Sequence, residues 1–317
     1  MLKYPAVIKV VFSTTLSSVA LLLLYAIPGF LLVKSKLVDR SAIPAFAKVL
    51  LYVCQPCLTF YSFDKATFSA ELLVNLGIFF LIAFVAQFGL LMIFYLLFRR
   101  KSLENVKYRI VNMALVLGNC GFFGIPVVEK LFPQRSDAAV YCLVFTLAMN
   151  LLCWTMVLYI VTRDKKYIKA KQLVLNPATI SFVAGLVLFV LGAKLPSILS
   201  EAVSLGGKIS TPLCMTILGM RLGASTFRGV FLSPLQYVTV LLKQTLIPLL
   251  VLGAVWFLPV DLFMKELAFI LFCCPVASNV LNFAEIGGNG QEEASGCVLL
   301  GTMLSIGTMP LMLLLIG

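Results

Sequence analysis

Histidine is absent from this 317-residue chain. That removes imidazole general acid–base catalysis, Ser–His and Cys–His nucleophile pairs, and the H-E-x-x-H zinc site. Charge is scarce as well. Only 12% of residues are charged and 13 are Asp or Glu, against 61% hydrophobic residues and a mean hydropathy of +1.06. A soluble domain is about half apolar and about a quarter charged, so the composition excludes one. Disorder needs low hydrophobicity, and a disulfide-stapled secreted module needs a short, cysteine-dense chain. An outer-membrane barrel shows short alternating segments rather than long apolar runs. No carboxylate lies near the middle of an apolar run, which argues against an intramembrane aspartyl protease.

What remains is a polytopic helical membrane protein. At roughly 20 residues per spanning helix, the apolar content fills about ten spans. The runs and their breaks place them near 6–33, 41–62, 72–98, 108–130, 138–162, 177–193, 199–222, 232–257, 265–285 and 292–316. The first run follows Lys3 and Lys9, as in a secretory leader. It is too long for one and lacks a cleavage site, so a first span is expected. The longest connection, Arg163 to Asn176, leaves no room for a soluble domain.

Lys and Arg number 25, for a net charge of +12. Odd-numbered connections hold 15 of them and the opposite side 7. Basic residues mark cytoplasmic loops, so both termini are expected outside a plasma membrane, and no nucleic-acid partner is expected. All nine cysteines fall in apolar runs. Cys54 and Cys57 have C-x-x-C spacing without a second pair, which reads as packing. No metal or cofactor is expected.

The two halves align at an offset near 156. Pro56 meets Pro212, Gln87 meets Lys243, Asn119 meets Pro275, and Cys142 meets Cys297 at 155. Five spans per half is odd, so the second half would be inverted. Inverted repeats are typical of secondary transporters, with a site at the repeat interface near the midplane. The expected units are 1–163, a linker at 164–176, and 177–317.

Two spans are interrupted. The fourth reads Gly118-Asn119-Cys120-Gly121-Phe122-Phe123-Gly124-Ile125-Pro126, and the ninth reads Pro275-Val276-Ala277-Ser278-Asn279-Val280-Leu281-Asn282. Glycine costs about 1 kcal/mol and proline about 3 kcal/mol in a helix interior. Unwound backbone cannot face lipid, so it must face protein or a cavity. If the two breaks cross, their second half-helices point N-termini, with partial positive charge and unpaired N–H groups, into the membrane. Such ends receive anions. The break residues Gly118, Asn119, Cys120, Gly121, Pro275, Ser278 and Asn279 are therefore candidate substrate-binding positions, with Asn282 one turn on. Lys243, deep in span 8, is a candidate for anion binding or for supporting the crossing. Its repeat mate Gln87 is another, and Gln55 and Asn150 are candidate cavity linings. Lys48 and Lys208 are expected to snorkel. Gly219 to Gly223 has G-x-x-x-G spacing but lies at a helix end, which favours packing over a dimer interface.

These motifs resemble the auxin efflux carrier family, which includes plant auxin exporters and bacterial malate and malonate carriers. The likeness rests on Gly118–Pro126, Leu51–Phe60 with Pro56, Pro212–Gly223, Lys243–Pro248, and Pro275 through Glu285 to Gly301. It implies ten helices with crossed, broken helices 4 and 9, and an elevator-type carrier. Spans 1, 2, 6 and 7 would be scaffold, and spans 3–5 and 8–10 the moving part. Plant members have proline in both crossing helices and a long central loop. Here the first position is Gly118 and the loop is absent, so auxin itself is not implied.

The expected function is secondary transport of a small organic carboxylate. The alternative is a sodium-coupled organic-anion symporter of the bile-acid type. A receptor or channel ranks third and an enzyme last. Expected partners are the anion, membrane lipids and at most a second copy of the chain.

Overall fold

The computed structural model describes residues 5–316 apart from 165, 167, 169–173 and 227–230. Lys3, Lys165, Lys169, Lys171 and Arg228, counted above as topology charges, lie outside the described residues. All regular structure among the described residues is helical apart from one isolated two-residue bridge. Six helices are long and apolar enough to cross a membrane: α1 (Lys9–Lys34), α2 (Arg40–Lys65), α3 (Ala70–Leu97), α6 (Ala138–Thr162), α9 (Pro234–Trp256) and α12 (Gln291–Leu313). Between them run α4 (Lys107–Val116) and α5 (Ile125–Leu131), α7 (Pro177–Val190) and α8 (Ser197–Ala224), and α10 (Leu262–Cys273) and α11 (Asn279–Ile286).

Local chemistry sets the ends of these helices. Ser69 caps α3 by accepting from the Leu72 amide, Asn176 caps α7 by accepting from Thr179, and Asp261 caps α10 by accepting from Phe263. Each oxygen satisfies an N–H that the first turn leaves orphaned. Gly290 precedes α12 at φ +83°, where a side chain would be strained.

One packed group is α1, α2, α7 and α8. A methyl on Gly219 of α8 would collide with the Ala26 carbonyl, and one on Gly29 of α1 with the Thr216 carbonyl. The Gly219–Gly223 pair therefore lets two helices of the same chain approach backbone to backbone. In the other group α3 lies on α6, and α9 lies on α10 and α12. The buried side chains concentrate in α4–α6 and α10–α12. Large apolar residues such as Val85, Leu97, Val187, Ile209 and Leu250 are exposed. A soluble monomer does not present so much contiguous apolar surface, whereas lipid accommodates it.

Polar contacts tie the connections into two ends. At one, Lys65 pairs with Glu129 at 3.0 Å, and Ser200 Oγ donates to Asp64 at 2.6 Å. At the other, Lys107 pairs with Glu293 at 2.9 Å, and Arg109 donates to the Val161 carbonyl at 3.1 Å.

Candidate functional site

The helix formed by α4 ends at Val116, and the one formed by α10 ends at Cys273. The next residues are extended: Leu117 has φ −77°, ψ 116°, and Cys274 has φ −56°, ψ 144°. At Cys274 the following Pro275 enforces this, because its ring excludes the helical region for the residue before it. The two extended stretches meet. Asn119 N–H donates to the Pro275 carbonyl at 2.8 Å, and Ala277 N–H donates to the Leu117 carbonyl at 3.0 Å. Together they form an antiparallel bridge centred on Gly118 and Val276. Each break thus supplies the hydrogen-bond partners that the other lost.

Helix resumes as a π-turn at Cys120–Gly124 leading into α5, and as α11 on the other side. The amides of Gly121, Phe122, Ser278 and Asn279 fall at these restarts, where no preceding carbonyl of the helix can reach them. None of the four has a partner among the described residues.

The four residues all line a cavity of about 380 Å³. Its polar side chains are Gln55, Asn119, Thr146, Asn150, Asn176, Ser278, Asn279 and Asn282, set among apolar residues such as Leu51, Met149, Trp154 and Phe283. Among the described residues no charged side chain lines it. Its size and its few convergent polar groups in an apolar wall suit a small ligand. Trp154, Asn176 and Ile286 line the cavity as well as the residues of the paired breaks.

The structure brings together Gly118, Asn119, Cys120, Gly121, Ser278, Asn279, Asn282, Gln55 and Asn150 at this cavity. It does not bring Lys243, Gln87 or Pro275 there. Lys243 is fully buried behind the breaks, where its Nζ donates to the Phe272 carbonyl at 2.9 Å and sits 5.5 Å from the Phe272 ring. In an unbroken helix that carbonyl would bond to the amide of residue 276, which the break has carried away. The ammonium replaces the lost donor and faces the negative end of α10. Of its two expected roles, supporting the crossing matches this position and direct contact with an anion does not. Gln87 is also fully buried, with Nε2 3.4 Å from the Phe145 carbonyl, so it joins α3 to α6 outside the cavity. Pro275 acts through its carbonyl, within the bridge.

Sequence reading passed over several residues. Thr146, Trp154 and Asn176 line the cavity. Gln244, beside Lys243, donates to the Gly301 carbonyl and accepts from Thr308, both at 2.7 Å. π-turns at Leu50–Cys54, Cys153–Val157 and Leu242–Leu246 join the one at Cys120–Gly124. Such turns cluster at functional sites, but nothing in the residue pattern announces them.

The family model described as membrane transport protein matches the chain over residues 14–173 and 168–313. No curated protein matches it.

Proposed function

The chain belongs to the membrane transport protein family, of the auxin efflux carrier type, and from that premise we propose that it is a secondary transporter moving a small organic carboxylate across the plasma membrane. The family is one of transporters rather than enzymes. The observation that carries the anion reading is the donor set at the paired breaks. The residues that carry the four unpartnered amides, together with Asn119 and Asn282, line one cavity, and no carboxylate lines it among the described residues. N–H groups at helix restarts favour negative charge through the helix dipole. A site built from dipoles binds a carboxylate without the full charge that would hold it too tightly for release.

In this reading the chain crosses the membrane ten times as two inverted five-helix repeats, with broken helices α4/α5 and α10/α11 at their interface. Both termini lie outside. The cavity then opens toward the cytoplasm, because Asn176 and Ile286 sit at the end rich in Lys and Arg. The group α1, α2, α7 and α8 is the scaffold, and the rest carries the site past it as an elevator. The membrane potential supplies about 2.3 kcal/mol per charge per 100 mV, enough to drive anion export without a coupled ion.

The test is flux of labelled malate, malonate, indole-acetate and branched-chain acids in proteoliposomes, with and without sodium and a pH gradient. Uptake of at least one acid, driven by potential alone, is the expected result. Strict dependence on sodium would replace this reading with the symporter. Absence of carboxylate flux would overturn it.

A further inference from the structure

Beside the main cavity lies a small void of about 20 Å³, lined in part by Arg221, Cys214, Ser278, Asn279 and Asn282. It shares Ser278, Asn279 and Asn282 with the cavity and holds roughly one water-sized volume. Arg221 stands in the last turn of α8. Its Nη2 donates to Asn282 Oδ1 at 3.2 Å, and its Nη1 is buried with no partner. The Glu285 carboxylate acts on it electrostatically, yet the two form no ion pair. A guanidinium with a free N–H, held against a cavity wall by a single neutral side chain, is an uncommon use of a costly group.

Resting on the anion reading of the cavity, we propose that Arg221 is a positioning residue for selectivity: it fixes the Asn282 amide so that the Nδ2 group, a donor, faces the transported anion. The chemistry is directional. Guanidinium has donors and no acceptor, so the contact must take the Asn282 oxygen. The Nδ2 end is then the one left over, and it has no partner among the described residues. Asn282 itself lines the cavity, so at this position the ligand meets an N–H donor rather than the amide oxygen. A free asparagine would rotate its amide and offer its oxygen, which repels a carboxylate and accepts a neutral amide. Arg221 removes that choice, and its charge polarises the Asn282 amide toward the anion.

The proposal separates charge selectivity from transport as such. The experiment compares wild type, Arg221→Lys and Arg221→Gln in proteoliposomes. The probes are labelled malate, malonate and indole-acetate, each competed by its own unlabelled amide. Lysine keeps a donor-only cation, so R221K should retain the preference of wild type for acid over amide. Glutamine accepts as well as donates, so R221Q should raise KM for the acid about tenfold, the size of one charge-assisted hydrogen bond. Its preference for acid over amide should fall with it while Vmax changes less. Melting of the detergent-solubilised variants reports folding separately. If R221Q does not fold, R221K carries the test, because lysine keeps a donor-only cation while losing the shape of the guanidinium, so retained acid preference marks the charge contact rather than packing. Carboxylate flux in wild type with unchanged KM and unchanged acid preference in R221Q overturns the proposal and leaves the transport reading standing. An R221K that folds but loses acid preference overturns it as well. No carboxylate flux in wild type overturns both.

Discussion

The two breaks reach one geometry from different sequences. The second uses Pro275, which forces Cys274 into the extended region and removes an amide from the helix. The first has Gly118 after its extended residue, where the second has Pro275, and no proline until Pro126, two residues into α5. Leu117 is nevertheless extended, with φ −77° and ψ 116°. What holds it is tertiary. The bridge to Pro275 and Ala277 takes up its neighbours' hydrogen bonds, and the Cys120 thiol reaches across to the Leu271 carbonyl at 3.2 Å. One break is therefore written locally and the other is imposed by its partner. Lys243 belongs to the same contrast: it restores the donor that the proline-made break took from Phe272.

Lys243→Ala strikes this arrangement hardest. It orphans the Phe272 carbonyl in a fully buried place, which costs about 1–3 kcal/mol, and loosens the second break. Anion flux should fall to background, with a lower melting temperature, while the protein still inserts and purifies. Flux at the wild-type level would show that the crossing stands without the lysine.

Asn119→Ala comes next and sharpens the picture, since it separates binding from architecture. The bridge uses the Asn119 backbone, and the side-chain Nδ2 is buried near the Cys214 thiol with no hydrogen-bond partner among the described residues. Flux should therefore drop at least about tenfold, the worth of one hydrogen bond to a charge, while melting stays near wild type. A collapse in melting with unchanged KM would mean that the side chain serves packing.

Gly118→Pro makes the first break local like the second. Leu117 already has the conformation that proline demands of its predecessor, and the Gly118 amide has no hydrogen-bond partner among the described residues. The nearest obstacle to a Cβ is the Cys120 thiol, 3.1 Å away, a side chain that can shift. Stability should rise by about 0.4–1 kcal/mol through a less free unfolded chain, read as a higher midpoint in thermal unfolding. A marked loss would show that the first break needs the freedom of glycine.

The smallest effect belongs to the ends of the broken helices. Glu129, after the first break, pairs with Lys65 of α2 at 3.0 Å, both side chains being well exposed. Glu285, after the second, has no ion pair among the described residues. Exposed pairs contribute about 0–1 kcal/mol, so Lys65→Gln should shift melting by no more than that. A larger shift would make this contact a structural tie between α2 and α5.

Much of this was legible in the residues. Glycines at 118, 121 and 124, Pro275 and the asparagines mark where helix cannot continue in an apolar run, and the membrane forbids leaving such backbone in lipid. The asparagines and Gln55 were placed at the cavity because polar side chains in apolar runs need somewhere wet. The bridge was not legible, since no local pattern encodes a pairing between distant stretches. A charge deep in an apolar run suggests function, and for Lys243 it leaves open whether that function is anion binding or support of the crossing. The competing acceptor, a carbonyl freed by a break in another helix, becomes visible only in three dimensions. Arg221 was counted as a topology charge because it lies near a helix end, and its turn toward Asn282 follows from packing.

The central claim is that the unpartnered amides at the joined breaks receive an organic anion. Its most direct test is anomalous scattering from crystals of the protein grown with a brominated carboxylate that competes for transport. The account predicts one bromine peak inside the cavity, with the carboxylate within hydrogen-bonding reach of the Gly121–Phe122 and Ser278–Asn279 amides, and its loss in Asn119→Ala crystals. A peak elsewhere in the protein, or an empty cavity at a concentration that saturates flux, would contradict it.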